Sequence, residues 1–292
     1  MNPRLTIGLP VFNGERYLAA ALGSLIAQSY ADFELIIADN ASTDRSGDIA
    51  RAFASADPRI RYVRHSENLG AAANYNCTVE QAQGELFKWA AHDDVCRPDY
   101  LSRCITQLDA DPAIVISHCH SDAIDAQGRV VGRYEHEPHV TQARSWERFA
   151  QVIGTPHYCI PVFGVMRTAL LKRTAKHGDW VGADRNLLAE LALHGHICLV
   201  DDVLFQRRDH PQSSISALPD ERARAVWFNP HQSGRRYPTW RRLQEYWRSV
   251  QRAPLDWYSR RRCESALLSW IAGRHHAGQR NALLMWRELS SG

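Results

Sequence analysis

Over the first 120 residues, short apolar runs alternate with stretches in which apolar positions recur every three or four residues. That alternation marks βαβ units on a mostly parallel sheet whose two faces are covered by helices. It predicts strands over 5–9, 34–38, 60–64, 85–90 and 114–118, with helices over 15–28, 46–56, 71–83 and 99–109 between them. Beyond residue 120 the pattern loosens. It predicts a strand over 129–134, a helix from 145, an apolar run over 159–166 interrupted by Gly and Pro, and a helix from 168. A helix over 183–193 follows, stopped by His194-Gly195, then a strand over 196–205 and a polar loop over 207–216. From 220 onward, aromatic and aliphatic residues recur at helical spacing among arginines, which predicts three or four amphipathic helices.

Composition changes this picture little. The chain has 292 residues, 45% apolar and 23% charged, which suits one large α/β domain with an appendage. Its longest apolar runs, such as Leu35-Ile36-Ile37-Ala38, are far shorter than the roughly 20 residues of a membrane-spanning helix. Met1-Asn2-Pro3-Arg4 leads straight into the first strand, so no signal peptide is expected. The expected location is cytoplasmic, soluble or peripheral at the inner membrane face. The seven cysteines include no CxxC pair, which excludes a zinc ribbon and argues against a disulfide framework. In His118-Cys119-His120, strand alternation puts the thiol on the face opposite the two imidazoles.

Charge divides the chain. Residues 1–221 hold 21 Lys and Arg against 28 Asp and Glu, a net of −7, whereas residues 222–292 hold 14 Arg against 4 acids, a net of +10. Six of the nine tryptophans also fall in the second part, so a boundary is expected near residue 220.

In doubly wound sheets, ligands bind where the strands end. Polar clusters sit at three such places: Asp39-Asn40-Ala41-Ser42-Thr43-Asp44, His92-Asp93-Asp94 and Arg207-Arg208-Asp209-His210. Neither GxGxxG nor GxxxxGK[ST] occurs near the amino terminus. A bound diphosphate would therefore need a cation, and the adjacent acids Asp93-Asp94 offer hard oxygen ligands for one. A solvated turn would account for the pair equally well.

The segments Leu9-Pro10-Val11-Phe12-Asn13-Gly14-Glu15-Arg16-Tyr17-Leu18, Ile36-Ile37-Ala38-Asp39-Asn40-Ala41-Ser42-Thr43-Asp44, Glu67-Asn68-Leu69-Gly70 and His92-Asp93-Asp94-Val95-Cys96-Arg97-Pro98 follow one another in an order that resembles family 2 glycosyltransferases of the GT-A fold. The resemblance covers roughly residues 4 to 216. It implies an α/β GT-A fold, a single Rossmann-like, mostly parallel sheet flanked by helices, with a C-terminal helical extension. The implied organisation is a catalytic domain over 1–219, with a nucleotide-binding half over 1–120 and an acceptor-binding half over 121–219, followed by the extension over 220–292.

Carried over by that resemblance, Pro10, Phe12 and Glu15 would line the base pocket and Asp39 the uracil or ribose side, with Asn68, Asn74 and Lys88 in the same cleft. Asp39-Asn40 could equally form an Asx turn that starts the next helix. Asp93, Asp94 and His210 would hold Mn²⁺ or Mg²⁺, Asp93 also reaching the ribose. The family's usual Asp-x-Asp reads Ala91-His92-Asp93 here, so its leading acid is missing. Asp184, in the first turn of the helix over 183–193, would be the general base of an inverting transfer, though an acid there also suits a helix dipole. Arg207 or Arg208 would offset charge on the departing diphosphate, and Trp180 and Gly164 would lie on the acceptor side.

The implied function is transfer of a sugar from a nucleotide-diphosphate donor, a UDP-sugar, to a hydroxyl of a glycan or lipid-linked acceptor, as in polysaccharide biosynthesis. The alternative is a non-catalytic sugar-nucleotide-binding partner of the same fold. A nucleotidyltransferase is disfavoured by the absent Gly-rich loop. The basic, Trp-rich tail suits an anionic membrane surface, packing on the acidic body, or a homodimer contact. No nucleic-acid-binding motif accompanies its charge.

Overall fold

The computed structural model describes residues 2–211, 221–230 and 238–273. Residues 212–216 of the polar loop, together with Arg235, Arg236 and Trp286 of the tail, lie outside these.

The first half is the expected series: β1 (Leu5–Val11), α1 (Leu18–Ile26), β2 (Phe33–Asp39), α2 (Ser46–Ala56), β3 (Ile60–Arg64), α3 (Ala71–Glu80) and β4 (Leu86–Trp89). These four strands run parallel in the order β3-β2-β1-β4, so β1 is central and every one of its residues is buried. A strand covered on both faces has no use for polar alternation, which is why Leu5-Thr6-Ile7-Gly8-Leu9 reads as a nearly continuous apolar run.

The second half comprises β5 (Val95–Cys96), α4 (Tyr100–Ala110), β6 (Ile114–Ile124), β7 (Val130–Tyr134), α5 (Ser145–Gly154), a 3₁₀ turn at Ile160–Phe163, β8 (Val165–Arg167), α6 (Thr168–Arg173), α7 (Ala183–His194) and β9 (His196–Arg208). The sheet continues β4-β8-β6-β9-β5, with β7 hydrogen-bonded to β6. Here pairings are mixed: β8 runs antiparallel to β4 and β6, β5 antiparallel to β9, and β6 parallel to β9. β5 has two residues and β8 three, too short to show a period.

Two apolar layers sandwich the sheet. One gathers Leu18, Leu22 and Leu25 of α1 with Tyr100, Leu101 and Ile105 of α4; the other gathers Phe149 of α5 with Leu187 and Leu191 of α7. The tail helices α8 (Glu221–Phe228), α9 (Pro238–Arg252) and α10 (Trp257–Ala272) follow. Tyr246 and Val250 of α9 and Cys263, Leu267 and Trp270 of α10 enter the second layer. The polar contacts agree: Arg252 of α9 grips the buried Glu190 of α7 at 2.9 and 2.8 Å, and Arg262 lies 4.2 Å above the Trp146 ring. Those arginines are spent on the body of the molecule. Among the described residues no helix is long and apolar enough to cross a membrane.

Candidate active site

Parallel pairing brings the ends of β1, β2 and β3 to one edge of the sheet. Val11 is the register partner of Asp39, and Asp39 of Arg64. Asp39 is fully buried, and three donors satisfy it: Ser42 N at 2.8 Å, Tyr62 Oη at 2.6 Å and an Arg64 guanidinium nitrogen at 3.0 Å. The loop after β1 is stitched to the loop after β2. Asn13 N donates to Ser42 Oγ, Glu15 N to Asp44, and Arg45 N to Glu15 Oε2. Pro10 is buried within β1, and Phe12, 40% exposed, presents an apolar face to solvent. Asn68 Oδ1 accepts from Asn40 Nδ2 at 2.8 Å and from Gly70 N.

Three sequence-picked residues are placed differently from expectation. Asn74 is buried, its amide donating to Ala38 O at 2.8 Å and Val11 O at 3.4 Å, so it clamps strand ends instead of lining the cleft. Lys88 is fully buried; its ammonium donates to Trp89 O at 3.1 Å and Phe163 O at 2.5 Å, and packs 4.5 Å from the Tyr100 ring centroid. It acts on the cleft only through its field, which reaches Asp94 from behind. Gly164 is packed against the Ser117 carbonyl, where a Cβ would come within 2.7 Å, and offers a ligand no side chain.

The acid pair follows β4. Asp93 accepts from His210 Nε2 at 2.9 Å, and Asp94 Oδ1 from Arg208 N at 2.9 Å. Burial works against ionisation of Asp93, but the His210 hydrogen bond and the nearby His92 hold its carboxyl below the ordinary value. Burial and the Asp93 charge push Asp94 the other way, up to about 8. His210 Nδ1 is buried without a partner among the described residues, and so is the Tyr17 hydroxyl, whose ring lies 4.7 Å from the His210 ring. The Arg208 guanidinium is committed to two backbone carbonyls, Asp93 O and Asp125 O, each at 2.9 Å. Its neighbour Arg207 lies 5.2 Å over the Tyr134 ring.

Across the cleft, α7 starts at Gly182, whose φ of 86° is in the left-handed region and whose added Cβ would meet Arg242 at 2.7 Å. The turn sets Asp184 in the first helical turn, partly exposed, where after burial its charge helps to hold the Cys159 thiol above the ordinary value. Trp180 is engaged by Asn186 Oδ1 at 3.2 Å and covered by Arg241 at 4.8 Å. Tyr75 ties the two sides together. Burial, and after it the charges of Asp93, Asp94 and Asp184, hold its phenol well above the ordinary value.

The family model described as Glycosyl transferase family 2 matches residues 6–175, more than half of the chain. The chain belongs to this family. An uncharacterised glycosyltransferase of Rickettsia prowazekii is 33% identical over 125 residues, 42% of this chain and 38% of the relative. Glycosyltransferase GlyA of Streptococcus pneumoniae is 33% identical over 117 residues, 39% of this chain and 17% of that protein. The chain thus spans less than half the length of these relatives. Among solved structures, S. aureus TarS in complex with UDP superimposes with a TM-score of 0.65 at 18% identity, covering 94% of this chain and 72% of TarS. Mannosyltransferase PcManGT of Pyrobaculum calidifontis, in complex with GDP-Man and Mn²⁺, gives 0.56 at 16% identity, covering 99% of this chain and 80% of that one. These likenesses establish the GT-A fold.

In this family 2 chain, the cleft contains residues that the sequence did not single out. Tyr62 and Arg64 are satisfied partners of Asp39, readable only once the β2–β3 register is known. Tyr17 stood inside the quoted opening motif without a role. Nothing in the irregular stretch between β7 and α5 marks Glu137, whose Oε2 is buried without a partner.

Proposed function

We propose that the chain is an inverting glycosyltransferase that uses a UDP-sugar and a divalent cation and transfers to a hydroxyl of a glycan. The observation that carries this reading is the acid pair after β4, within the stretch that the family model matches: Asp93 accepts from His210 Nε2 at 2.9 Å and Asp94 Oδ1 from Arg208 N at 2.9 Å. The oppositely placed roles follow from chemistry. Asp184 accepts the proton of the attacking hydroxyl while that oxygen bonds to the anomeric carbon and the carbon–oxygen bond to the diphosphate breaks. Arg207 offsets charge gathering on the leaving diphosphate, and Phe12 provides an apolar wall for the base.

The donor set fits a hard cation. Asp94 is a buried carboxyl that burial and the neighbouring Asp93 charge raise to about 8, so its ionised form needs added positive charge. Among the described residues no three His, Cys, Asp or Glu side chains converge as a metal site, so donor phosphate oxygens have to complete the shell. A cation there supplies a Lewis acid to the departing diphosphate. His210, hydrogen-bonded to Asp93, orients that carboxylate and keeps Nδ1 for the cation or a phosphate.

Calorimetric titration of UDP with Mn²⁺ and with excess chelator tests the reading. Binding in Mn²⁺ that falls at least tenfold in chelator is expected, and equal affinity in both refutes the cation's role. The peripheral membrane contact also remains part of the proposal, because Trp240, Trp247, Trp257 and Leu268 point outward, 57%, 51%, 73% and 69% exposed. Co-sedimentation with anionic vesicles at low salt, lost at high salt, is expected; absence of binding at low salt removes the membrane from the picture.

A further inference from the structure

Between the diphosphate end of the cleft and Asp184 lies a cluster that the reaction as described leaves unused. Glu137 Oε1 accepts from Tyr158 N at 3.2 Å, while Oε2 is buried with no donor. A carboxylate oxygen left so costs on the order of 1–3 kcal/mol, and such atoms are kept where something else supplies the hydrogen bond. Tyr158 is 59% exposed and meets the Tyr134 ring edge to face, centroids 5.0 Å apart. Arg207 lies over Tyr134, and Arg185, next to Asp184, donates to His157 O. The fields of both guanidiniums reach Glu137.

This is the chemistry of a sugar site: an exposed aromatic face for the C–H side of a pyranose ring, and a carboxylate oxygen in need of a hydroxyl donor. Its charge argues against an anionic ligand. Glu137, Asp184 and Asp209, which accepts from the Tyr134 hydroxyl at 2.9 Å, outnumber Arg185 and Arg207. The place is right as well, since Tyr134 feels both Asp209 and Asp94 and Arg185 adjoins Asp184. We propose that Glu137 and Tyr158 form the acceptor subsite and take a neutral pyranose, its ring against Tyr158 and one hydroxyl donating to Glu137 Oε2. The inference rests on the glycosyltransferase reading above. Burial also raises the Glu137 carboxyl to about 7, against the pull of the Tyr158 amide and the two arginines.

The test uses the full chain with UDP and Mn²⁺ and, as probes, neutral methyl pyranosides of glucose, galactose, mannose and N-acetylglucosamine, with methyl glucuronide as the anionic control. Saturation-transfer NMR reads sugar binding and calorimetry reads UDP. At least one neutral glycoside is expected to bind the wild type. Its binding falls at least tenfold in Tyr158→Ala and in Glu137→Gln, which keeps the contact to Tyr158 N and puts an amide donor in place of the free oxygen. Asp184→Asn retains it, and UDP affinity stays within twofold in all three, which also certifies their folding. If UDP binds but no neutral glycoside does, or if the glucuronide binds best, or if both variants bind as the wild type does, the subsite is overturned and the donor reading stands. If the wild type binds no UDP in either buffer, the glycosyltransferase reading falls, and the subsite with it.

Discussion

Asp39 and Asp94 both end up buried where strands run out at the same cleft, and they differ in what surrounds them. Asp39, with no exposed surface, accepts from three donors, one of them a guanidinium. Asp94, 7% exposed, accepts from one backbone amide and has another carboxylate beside it. A saturated buried acid is part of the scaffold, because its charge is already matched and its removal strands the partners. An unsaturated one is unstable in isolation and invites a cation. The same contrast runs through the cleft: the loops after β2 and β3 close on their own hydrogen bonds, whereas Tyr17 Oη at the start of α1, His210 Nδ1 after β9 and Glu137 Oε2 between β7 and α5 have no partner among the described residues.

The largest effect belongs to the open side. Asp184→Asn should leave UDP affinity within about twofold and lower turnover with acceptor by roughly 10²–10⁴, the scale of a positioned base. Undiminished turnover would move the base elsewhere, with Glu137 the next carboxylate to test.

Next comes a crossed pair of substitutions. Asp39→Ala should lower stability by about 3–5 kcal/mol, the scale for breaking one side of a buried ion pair; solvent on Arg64, whose side chain is 43% exposed, puts it at the low end. Asp94→Asn should leave thermal stability unchanged or raise it, because burial and the Asp93 charge already favour the neutral carboxyl and the amide oxygen can still accept from Arg208 N, while weakening UDP binding in Mn²⁺ by roughly 10²-fold. Denaturant melts and calorimetry on the two variants give the answer. If Asp94→Asn loses as much stability as Asp39→Ala, the two acids are equivalent scaffold and the contrast disappears.

Much of this was legible in the sequence, and the limits are physical. Strands over 5–9 and 34–38 could be read because burial on both faces leaves them almost wholly apolar, and the edge strand over 60–64 because Ile60, Tyr62 and Val63 are β-formers, although Arg61 and Arg64 stay exposed. The start of α7 could be read because Gly182 and Gly195 bracket an amphipathic stretch. Lys88 could not: a lysine in a strand looks like an edge or a cleft residue, and its burial depends on Tyr100, Phe205 and Phe163 O arriving from distant elements. The tail arginines looked like surface charge, yet Arg252 and Arg262 find Glu190 and Trp146 only after α9 and α10 have docked. Glu137 lies where no period exists to announce a face.

The smallest expected effect is a pH slope that reads the unsaturated acids directly. A carboxyl raised in the folded protein contributes stability below its unfolded value near 4 and loses it as pH climbs to the folded value, here about 8 for Asp94 and about 7 for Glu137. Buried histidines work in the opposite window. Burial depresses His118 and His157 to about 4, so their contribution is complete above roughly 6.5 and is lost as pH falls toward 4. Between pH 6.5 and 8 the unfolded histidines, those of His177 and His194 included, shed their remaining charge and add a little stability, while the two carboxyls remove more. The free protein should therefore melt lower at pH 8 than at pH 6.5, by some 2–4 °C for roughly 1 kcal/mol. Positive charge near Asp94 comes from Arg207 and Lys88. Adding Mn²⁺ and UDP should flatten it, since a cation stabilises the ionised pair, and Asp94→Asn should flatten it without either. A free protein that grows more stable from pH 6.5 to 8 would show Asp94 already ionised with its charge satisfied, and would leave the acid pair no claim on a cation.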